Sequence, residues 1–322
     1  MAALSIQRRR KGHGFSYFDQ EGQRIKNPNI LRRLRALTIP PMWEKVKISD
    51  RPRAKLQAVG RDAKGRKQYI YHPYWENQRQ REKFSRVLQF GQALPKMRRR
   101  CHDLLLLPKW PKEKVLALMV LILDETGIRI GNQQYLNNNQ TYGLSTLRRR
   151  HLNLEDDALI FHFRGKSRQD RQVRIEDEEL MGFIRRAAEQ PGYEIFRYRE
   201  SGHWHSVDSD EINSFIQKQM GAPYSSKDFR TWVACRLAVD LYPQAVEIKQ
   251  KNSRKRISST LLRLVSQELG NTPTICRDYY IHPRLFSLIK QQALPLQLAD
   301  EADSPPWEHS GAEKLIIEKL LS

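Results

Sequence analysis

The sequence predicts an α+β protein with a small β-rich N-terminal domain followed by a larger, mainly α-helical domain that contains a small β-sheet. Three observations support this class: short strand-like runs separated by turn residues up to residue 76, helical periodicity from residue 77, and a sharp change of charge along the chain. We expect domains at 1–76 and 77–290 and an acidic tail at 291–322. The length of 322 residues accommodates two domains.

In the N-terminal domain, the runs Leu56–Val59 and Gln68–Tyr71 flank the turn segment Gly60–Gly65 and predict a β-hairpin. An earlier run, Phe15–Phe18, predicts another strand. Prolines at positions 40, 41 and 52 exclude a continuous helix through the middle of this domain.

In the second domain, a helix is predicted from Asn77, with Gly91 placed to end it. The segment Glu113–Glu125 is so apolar that it predicts a helix buried on nearly all sides. Two strand-like runs at 159–163 and 172–175 predict a hairpin with a polar turn. Further helices are expected at 176–189, 209–219, 226–241 and 258–270, with a short closing helix in the tail.

The charge is large and unevenly placed: 57 basic and 36 acidic side chains give a net charge of +21. The first 100 residues carry 26 basic and 7 acidic side chains, whereas the other 222 carry 31 and 29. Such a basic N-terminal third predicts binding to a polyanion, and nucleic acid is favoured. A membrane surface is the less favoured alternative, because glycines and prolines interrupt this region where an amphipathic helix would be needed.

Several classes of protein and site are disfavoured. The longest apolar run, Val115–Leu123, is half the length of a membrane span. Three widely spaced cysteines offer neither a disulfide framework nor a paired metal-binding motif. Two near-matches to a phosphate-binding P-loop lack the required residues or context. We therefore expect no metal and no cofactor, and, since the N-terminus lacks a secretory signal, a cytoplasmic, nucleoid-associated protein.

The predicted hairpin combines cations with residues that can reach base edges in a DNA groove. Its candidate DNA-binding residues are Arg66, Lys67, Gln68, Tyr69 and Tyr71. The alternative is an ordinary solvated hairpin.

Two other segments are candidate phosphate sites. Arg129 follows the buried helix between Gly127 and Gly131, which allow close approach of the backbone. Lys227 and Arg230 lie in the first turns of a helix that begins after serine residues, near its positive dipole end. Taken alone, the Arg129 segment is a weak indication, and the Lys227 and Arg230 segment would be interpreted by default as a capped helix whose cations face solvent.

The two segments belong to an ordered set of motifs along the chain. The set includes Phe163-Arg-Gly-Lys166, Lys227-Asp-Phe-Arg230-Thr231 and Tyr280-Ile-His-Pro283. Ile39-Pro-Pro41 and Gly60-Arg-Asp62 precede them. The set resembles the small type IB DNA topoisomerases of viruses and bacteria, and the resemblance runs from about residue 12 to about residue 290.

The resemblance implies an enzyme that relaxes supercoiled duplex DNA through a transient single-strand break, without ATP or metal, as a monomer closing like a clamp. The tyrosine matching Tyr280 would attack the phosphodiester and remain joined to the 3′ phosphate. Arg129 and Arg230 would hold the non-bridging oxygens, and Lys166 would protonate the leaving 5′ oxygen. Many relatives have histidine where Asn271 stands, so Asn271 is expected to contact the phosphate without supplying a proton. Lys227 and Tyr135 are expected to contact DNA.

Two alternative functions compete with this interpretation. A tyrosine recombinase uses the same residue types, but it resembles a His-x-x-Arg pattern where this chain has Lys-Asp-Phe-Arg-Thr. A non-catalytic DNA or RNA packaging protein would account for the charge, but it gives no reason for Arg129, Lys166, Arg230 and Tyr280 to occur together.

Overall fold

The computed structural model describes residues 4–298 and 304–321, apart from the side chain of Tyr135. The chain divides into two compact units, Met1–Lys83 and Phe84–Ser322. The division falls inside helix α2 (Pro73–Ser85), a few residues beyond the joint expected from the sequence. The α+β class is confirmed, because the first unit is built on an antiparallel sheet and the second is mainly helical.

The first unit contains an antiparallel sheet with strand order β2-β1-β3-β4-β5. Its elements are β1 (Ile6–Lys11), β2 (Gly14–Phe18), α1 (Pro28–Ala36), β3 (Glu44–Ile48), β4 (Leu56–Arg61) and β5 (Lys67–Tyr71), followed by α2. The predicted hairpin is confirmed as β4–β5, in which Val59 pairs with Tyr69. Helix α1 begins at Pro28, where Asn27 accepts hydrogen bonds from the first free backbone N–H groups.

One arginine of the basic N-terminal run is structural. Arg8 is buried, and its guanidinium donates hydrogen bonds to the carbonyl oxygens of Ile39, Pro40 and Trp43 at 2.9, 3.0 and 2.8 Å. Burial lowers the pKa of Arg8, and the carbonyls compensate part of its lost hydration. Arg8 therefore holds the loop before β3 against the sheet, while its neighbours Arg9 and Arg10 are exposed.

The second unit contains the remaining helices and strands. Its helices are α3 (Val87–Leu105), α4 (Lys112–Thr126), α5 (Gln133–Asn139), α6 (Glu178–Ala188), α7 (Ser209–Met220), α8 (Ser226–Asp240), α9 (Tyr242–Lys251), α10 (Ile257–Leu269), α11 (Pro273–Tyr279), α12 (Pro283–Gln291) and α13 (Gly311–Leu321). Its strands are β6 (Leu152–Leu154), β7 (Leu159–Arg164), β8 (Asp170–Ile175), β9 (Arg197–Glu200) and β10 (His203–Ser206), in a β6-β7-β8 sheet and a β9-β10 hairpin.

Helix α4 forms the centre of the second unit. Every residue from Val115 to Asp124 is buried, which confirms the burial expected from its composition. The helix ends at Gly127, whose φ of 60° is the left-handed conformation typical of a C-terminal cap. Among the described residues, no helix is long and apolar enough to cross a membrane.

The expectation that Gly91 ends a helix is wrong. Gly91 lies inside α3, where a Cβ atom would come within 2.2 Å of the Trp232 ring. The glycine therefore allows close packing of α3 against α8, and helix capping does not explain its presence. Spacing along the chain gives no sign of this contact, because the two residues are far apart in sequence.

The C-terminal segment contains helix α13, whose Leu315 and Ile316 join the main hydrophobic core. The Glu313 carboxylate is buried and accepts hydrogen bonds from Arg98 at 2.6 and 2.8 Å and from the Trp232 indole at 2.7 Å. Arg98 also donates to Asp124 at 2.6 Å. This buried group of charges connects α3, α4, α8 and α13.

Replacing Glu313 with glutamine should destabilise the protein by about 3 kcal/mol, because it leaves Arg98 buried with one carboxylate in place of two. Urea unfolding at pH 7 measures this loss. Glu318→Gln, in an exposed pair with Lys319 on the same helix, is the control and should change stability by less than about 0.5 kcal/mol. Equal effects of the two substitutions would contradict a stabilising role for the buried group.

The contribution of Glu313 should depend on pH. Burial is the largest single influence and raises its pKa, but the hydrogen bonds and charge of Arg98, together with the charge of Arg236 and the Trp232 hydrogen bond, bring the pKa from 4.5 to about 2. The ionised form thus stabilises the fold above pH 4.5, and this stabilisation is lost as the pH falls toward 2. Burial raises the pKa of Asp240 to about 6, so Asp240 titrates above the range from pH 4.5 to 2. Its raised pKa also makes stability increase as the pH falls, which is opposite to the effect of Glu313. The stability difference between wild type and Glu313→Gln should therefore shrink between pH 4.5 and 2.

Candidate active site

Two helix C-termini converge on one arginine. Helices α4 and α10 end at Gly127 and Gly270, both with left-handed φ angles near 60°. Arg230, on the second turn of α8, donates hydrogen bonds to the carbonyl oxygens of Gly127 and Leu269. Terminal helix carbonyls lack partners within their own helix and carry the negative end of the dipole, so they are suitable acceptors for a buried cation.

Arg129 is held beside this junction by the loop that follows α4. The Arg129 carbonyl accepts from the Leu144 N–H at 2.9 Å, and Gly131 lies so close to Gly143 that a Cβ atom on either residue would clash with the other. The Arg129 guanidinium donates to the Gly270 carbonyl at 3.2 Å and to the Asn271 side-chain oxygen. The two glycines flanking Arg129 therefore have structural roles, as the sequence indicated.

The electrostatic environment of Arg230 is unusual for an arginine. Its side chain is only 5% exposed, and burial together with the nearby charge of Arg129 lowers its pKa to about 10, while Tyr280 opposes the shift. Its Nε atom is buried and has no hydrogen-bond partner among the described residues. Arg230 thus presents an unsatisfied donor in a strongly positive environment.

Tyr280 follows α11 directly and contacts Arg230. The guanidinium carbon of Arg230 lies 5.3 Å from the centroid of the Tyr280 ring, and a side-chain hydrogen bond between the two residues raises the pKa of Arg230. The Tyr280 side chain is partly buried, whereas Tyr279 is 44% exposed. The contact with Arg230 therefore belongs to Tyr280, the tyrosine chosen from the sequence.

Asn271 lies one residue beyond the α10 cap. Its Oδ1 atom accepts from Arg129, and its Nδ2 atom is buried without a hydrogen-bond partner among the described residues. With the oxygen directed at an arginine, the Nδ2 group is the part of the amide suited to an incoming acceptor such as a phosphate oxygen. Asn271, Arg129, Arg230 and Tyr280 therefore form one cluster, in which the Arg230 Nε and Asn271 Nδ2 atoms have no hydrogen-bond partner within the part of the chain that the structure describes.

The other predicted residues of the second unit lie on the β7–β8 hairpin, on α8 and on α5. Lys166 is exposed on the turn of the β7–β8 hairpin, where Ser167 and Arg168 adopt left-handed φ angles of 63° and 60°. Lys227 is exposed in the first turn of α8, three residues before Arg230. Tyr135 belongs to α5, and its side chain lies outside the described part of the structure.

Four of the five hairpin candidates of the first unit lie on β5, on one or the other of its two faces. Lys67, Tyr69 and Tyr71 alternate on one face, and the two tyrosine rings stack at 6.1 Å. Gln68 lies on the opposite face with Ile70 and donates to Asp62 at 2.9 Å.

The fifth candidate, Arg66, also binds Asp62, at 2.7 Å. Its hydrogen bond is the main cause that lowers the pKa of Asp62 to about 2. Arg66 and Gln68 are thus held by a carboxylate, whereas the face with Lys67 and the tyrosines is turned away from the core.

Sequence reasoning missed Arg171. This residue of β8 donates hydrogen bonds to the carbonyl oxygens of Gln267 and Glu268 at 2.9 and 2.6 Å. Burial and the charge of Arg129 lower its pKa. The sequence around Arg171 does not distinguish it from Arg168 and Arg174. Its importance is evident only from its contact with α10 in the structure.

Comparison with known families agrees with this geometry. The family model for the catalytic core of eukaryotic DNA topoisomerase I matches residues 65–297, and the model for the N-terminal domain of bacterial DNA topoisomerase IB matches residues 14–62. Together they cover both units and define the class as DNA topoisomerases of type I.

Individual relatives narrow the class. The chain is 27% identical to DNA topoisomerase 1B of Acanthamoeba polyphaga mimivirus over 284 residues, covering 86% of this chain and 84% of that protein. It is 24% identical to DNA topoisomerase 1B of vaccinia virus (strain Copenhagen), covering 74% of each. The chain therefore belongs to the type IB DNA topoisomerase family and is an enzyme of the isomerase class.

A solved structure of the site-specific recombinase XerH bound to its difH substrate gives a TM-score of 0.38 at 15% identity, covering 58% of this chain and 48% of the recombinase. A similarity at this level supports no conclusion about function. Family membership thus favours the topoisomerase over the recombinase and packaging alternatives.

The contact between Arg230 and Tyr280 generates a prediction about the nucleophile. Tyr280→Phe should bind DNA but form no covalent adduct with it, because the hydroxyl is lost while the ring contact remains. Tyr279→Phe is the matched control and should retain cleavage. Denaturing gel analysis of trapped protein–DNA adducts distinguishes the two variants, and an adduct that survives in Tyr280→Phe but not in Tyr279→Phe would assign the chemistry to the neighbouring residue.

Proposed function

We propose that this DNA topoisomerase relaxes supercoiled duplex DNA by breaking one strand through Tyr280 and resealing it, without ATP or a metal ion. The observation that carries the proposal is the cluster in which Tyr280 lies against Arg230, beside Arg129 and Asn271. It combines a nucleophilic hydroxyl with cations that, among the described residues, donate to carbonyl and amide oxygens and form no ion pair with a carboxylate, as suits attack on a phosphodiester.

In the proposed reaction, the Tyr280 oxygen attacks phosphorus and its proton passes to solvent water. The bond from phosphorus to the 5′ oxygen breaks, and that oxygen takes a proton from Lys166. The products are a 3′-phosphotyrosyl ester and a 5′-hydroxyl end. One phosphodiester replaces another, so resealing is the reverse reaction and needs no external energy source. The broken strand swivels while the protein holds the 3′ end.

Each remaining residue of the cluster has a proposed role in this exchange. Arg129 and Arg230 neutralise charge that develops on the non-bridging oxygens, and the unsatisfied Nε of Arg230 is one donor available to them. Asn271 donates a hydrogen bond from Nδ2 without transferring a proton. Lys166, on a flexible exposed side chain, delivers the proton to the leaving oxygen.

The DNA contacts, oligomeric state and location are also part of the proposal. Lys227 and Tyr135 contact the DNA backbone near the cluster, and the exposed face of β5 with Lys67, Tyr69 and Tyr71 contacts the duplex. Arg66 and Gln68 contact the DNA either after they release Asp62 or while they still donate hydrogen bonds to it. We propose a monomer that closes around the duplex and associates with the nucleoid in the cytoplasm.

A plasmid assay tests this function directly. Purified protein should relax both positively and negatively supercoiled plasmid in EDTA and without ATP, because the proposed chemistry uses protein side chains alone. Tyr280→Phe is the inactive control. A strict requirement for magnesium or ATP would refute the proposal.

Lys166 should act as the general acid. An alkoxide leaving group has a conjugate acid with a pKa of about 15.7 and needs a proton in the transition state. A thiolate leaving group, with a conjugate acid of pKa about 8.5, does not. With sulfur replacing the 5′ bridging oxygen at a mapped cleavage site, Lys166→Ala should recover most of its lost single-turnover cleavage rate. Arg230→Ala should recover less, and equal defects of Lys166→Ala on both substrates would leave Lys166 only an electrostatic role.

A further inference from the structure

Arg171 connects the hairpin that carries Lys166 to the end of helix α10. It lies on β8 opposite Phe163, just beyond the turn with Lys166. Its side chain passes so close to Gly165, the residue before Lys166, that a Cβ atom there would lie 2.8 Å from the Arg171 Cγ atom. The same side chain approaches Gly270 so closely that a Cβ atom there would lie 2.3 Å from its guanidinium carbon.

The guanidinium is anchored at two points. Its two terminal nitrogens donate to the carbonyl oxygens of Gln267 and Glu268, at 2.9 and 2.6 Å. A planar guanidinium with two acceptors has a fixed orientation, which a single ammonium group does not provide. The next two residues along α10 and its cap, Leu269 and Gly270, accept from Arg230 and Arg129. Arg171 thus ties the hairpin to the same helix end that positions the other arginines.

The hairpin needs such a connection near its tip. Phe161 and Phe163 secure the hairpin in the hydrophobic core as far as the pair formed by Phe163 and Arg171, whereas the turn residues from Lys166 to Asp170 are exposed. The Lys166 side chain is long and flexible, so the position of its ammonium group depends on where the turn is held.

We propose that Arg171 is a positioning residue for Lys166, holding the turn of the β7–β8 hairpin against the C-terminal end of α10 so that the lysine reaches the leaving oxygen. This inference rests on the proposed function, in which Lys166 is the general acid. The alternative is that Arg171 acts through its charge. Since it is near Arg129 and Arg230, it would then stabilise the phosphoryl oxygens directly. The two roles give opposite results when the leaving group is changed.

The test compares single-turnover cleavage of two DNA duplexes, one with oxygen and one with sulfur at the 5′ bridging position of a cleavage site mapped with the wild-type protein. Arg171→Ala should cleave the oxygen substrate about 100-fold more slowly than wild type, as expected for misplacement of a catalytic group by about 1 Å. On the sulfur substrate its rate should return to within a few-fold of wild type, as it should for Lys166→Ala.

Two further variants separate geometry from charge and from folding. Arg171→Lys keeps the positive charge but lacks the two-point anchor, so it should remain defective on the oxygen substrate and recover on the sulfur substrate. Arg174→Ala removes the same charge from the same strand, where Arg174 binds Glu155, Asp157 and Glu176 at the surface, and should cleave both substrates normally. Non-covalent DNA binding and thermal unfolding establish that each variant is folded.

Three results would overturn the inference while leaving the proposed function intact. One is an equal defect of Arg171→Ala on both substrates while Lys166→Ala recovers; that pattern would assign Arg171 to the phosphoryl oxygens. Another is full activity of Arg171→Lys on the oxygen substrate, which would show that charge alone suffices. The third is undiminished cleavage by Arg171→Ala. Failure of the wild-type protein to cleave either duplex would instead refute the proposed function, and this inference with it.

Discussion

The arrangement of the active site depends on the C-terminal end of α10, where four consecutive carbonyl groups accept hydrogen bonds from three arginines. Arg171 binds the first two carbonyls, Arg230 the third and Arg129 the fourth. The helix end is closed by backbone bonds from Gly270 to Gln267 and from Asn271 to Ser266, so the acceptors are fixed. Carbonyl dipoles orient the guanidinium groups without cancelling their charge, and the charge stays available for a phosphate.

A second group of charges, based on carboxylates, connects α3, α4, α8 and α13. Arg98 is neutralised by Asp124 and Glu313, and Glu313 also accepts from Trp232, two residues beyond Arg230. This group fixes α4 and α8, whose other residues enter the active site, and it makes the C-terminal helix part of the core. In the second unit, Arg98 is thus paired with carboxylates, whereas the arginines at the end of α10 are paired with carbonyl groups.

The sequence was sufficient to predict features that depend on local pattern. The β4–β5 and β7–β8 hairpins, the buried helix α4 and the helices α6, α7, α8 and α10 follow from periodicity and turn residues. The choice of Arg129, Lys166, Arg230 and Tyr280 came from the resemblance of their motifs to type IB topoisomerases, and Arg129, Arg230 and Tyr280 lie in one cluster. Arg8, Gly91 and Arg171 were not recognised, because their roles arise from contacts with residues distant in sequence.

In the free enzyme, burial of the charged Arg230 and of unpaired donors is energetically unfavourable, and a bound phosphate would reduce this penalty. Burial and neighbouring cations lower the pKa of Arg230 to about 10, and the Nε of Arg230 and Nδ2 of Asn271 are buried without partners among the described residues. Each such group has already lost its hydration before DNA arrives. In the proposed reaction, a phosphate oxygen, and still more the charge that develops on it during attack, would supply the missing acceptor. Because the helix ends fix the donors in advance, little reorganisation is required in the transition state, which is how a rigid polar site stabilises developing charge.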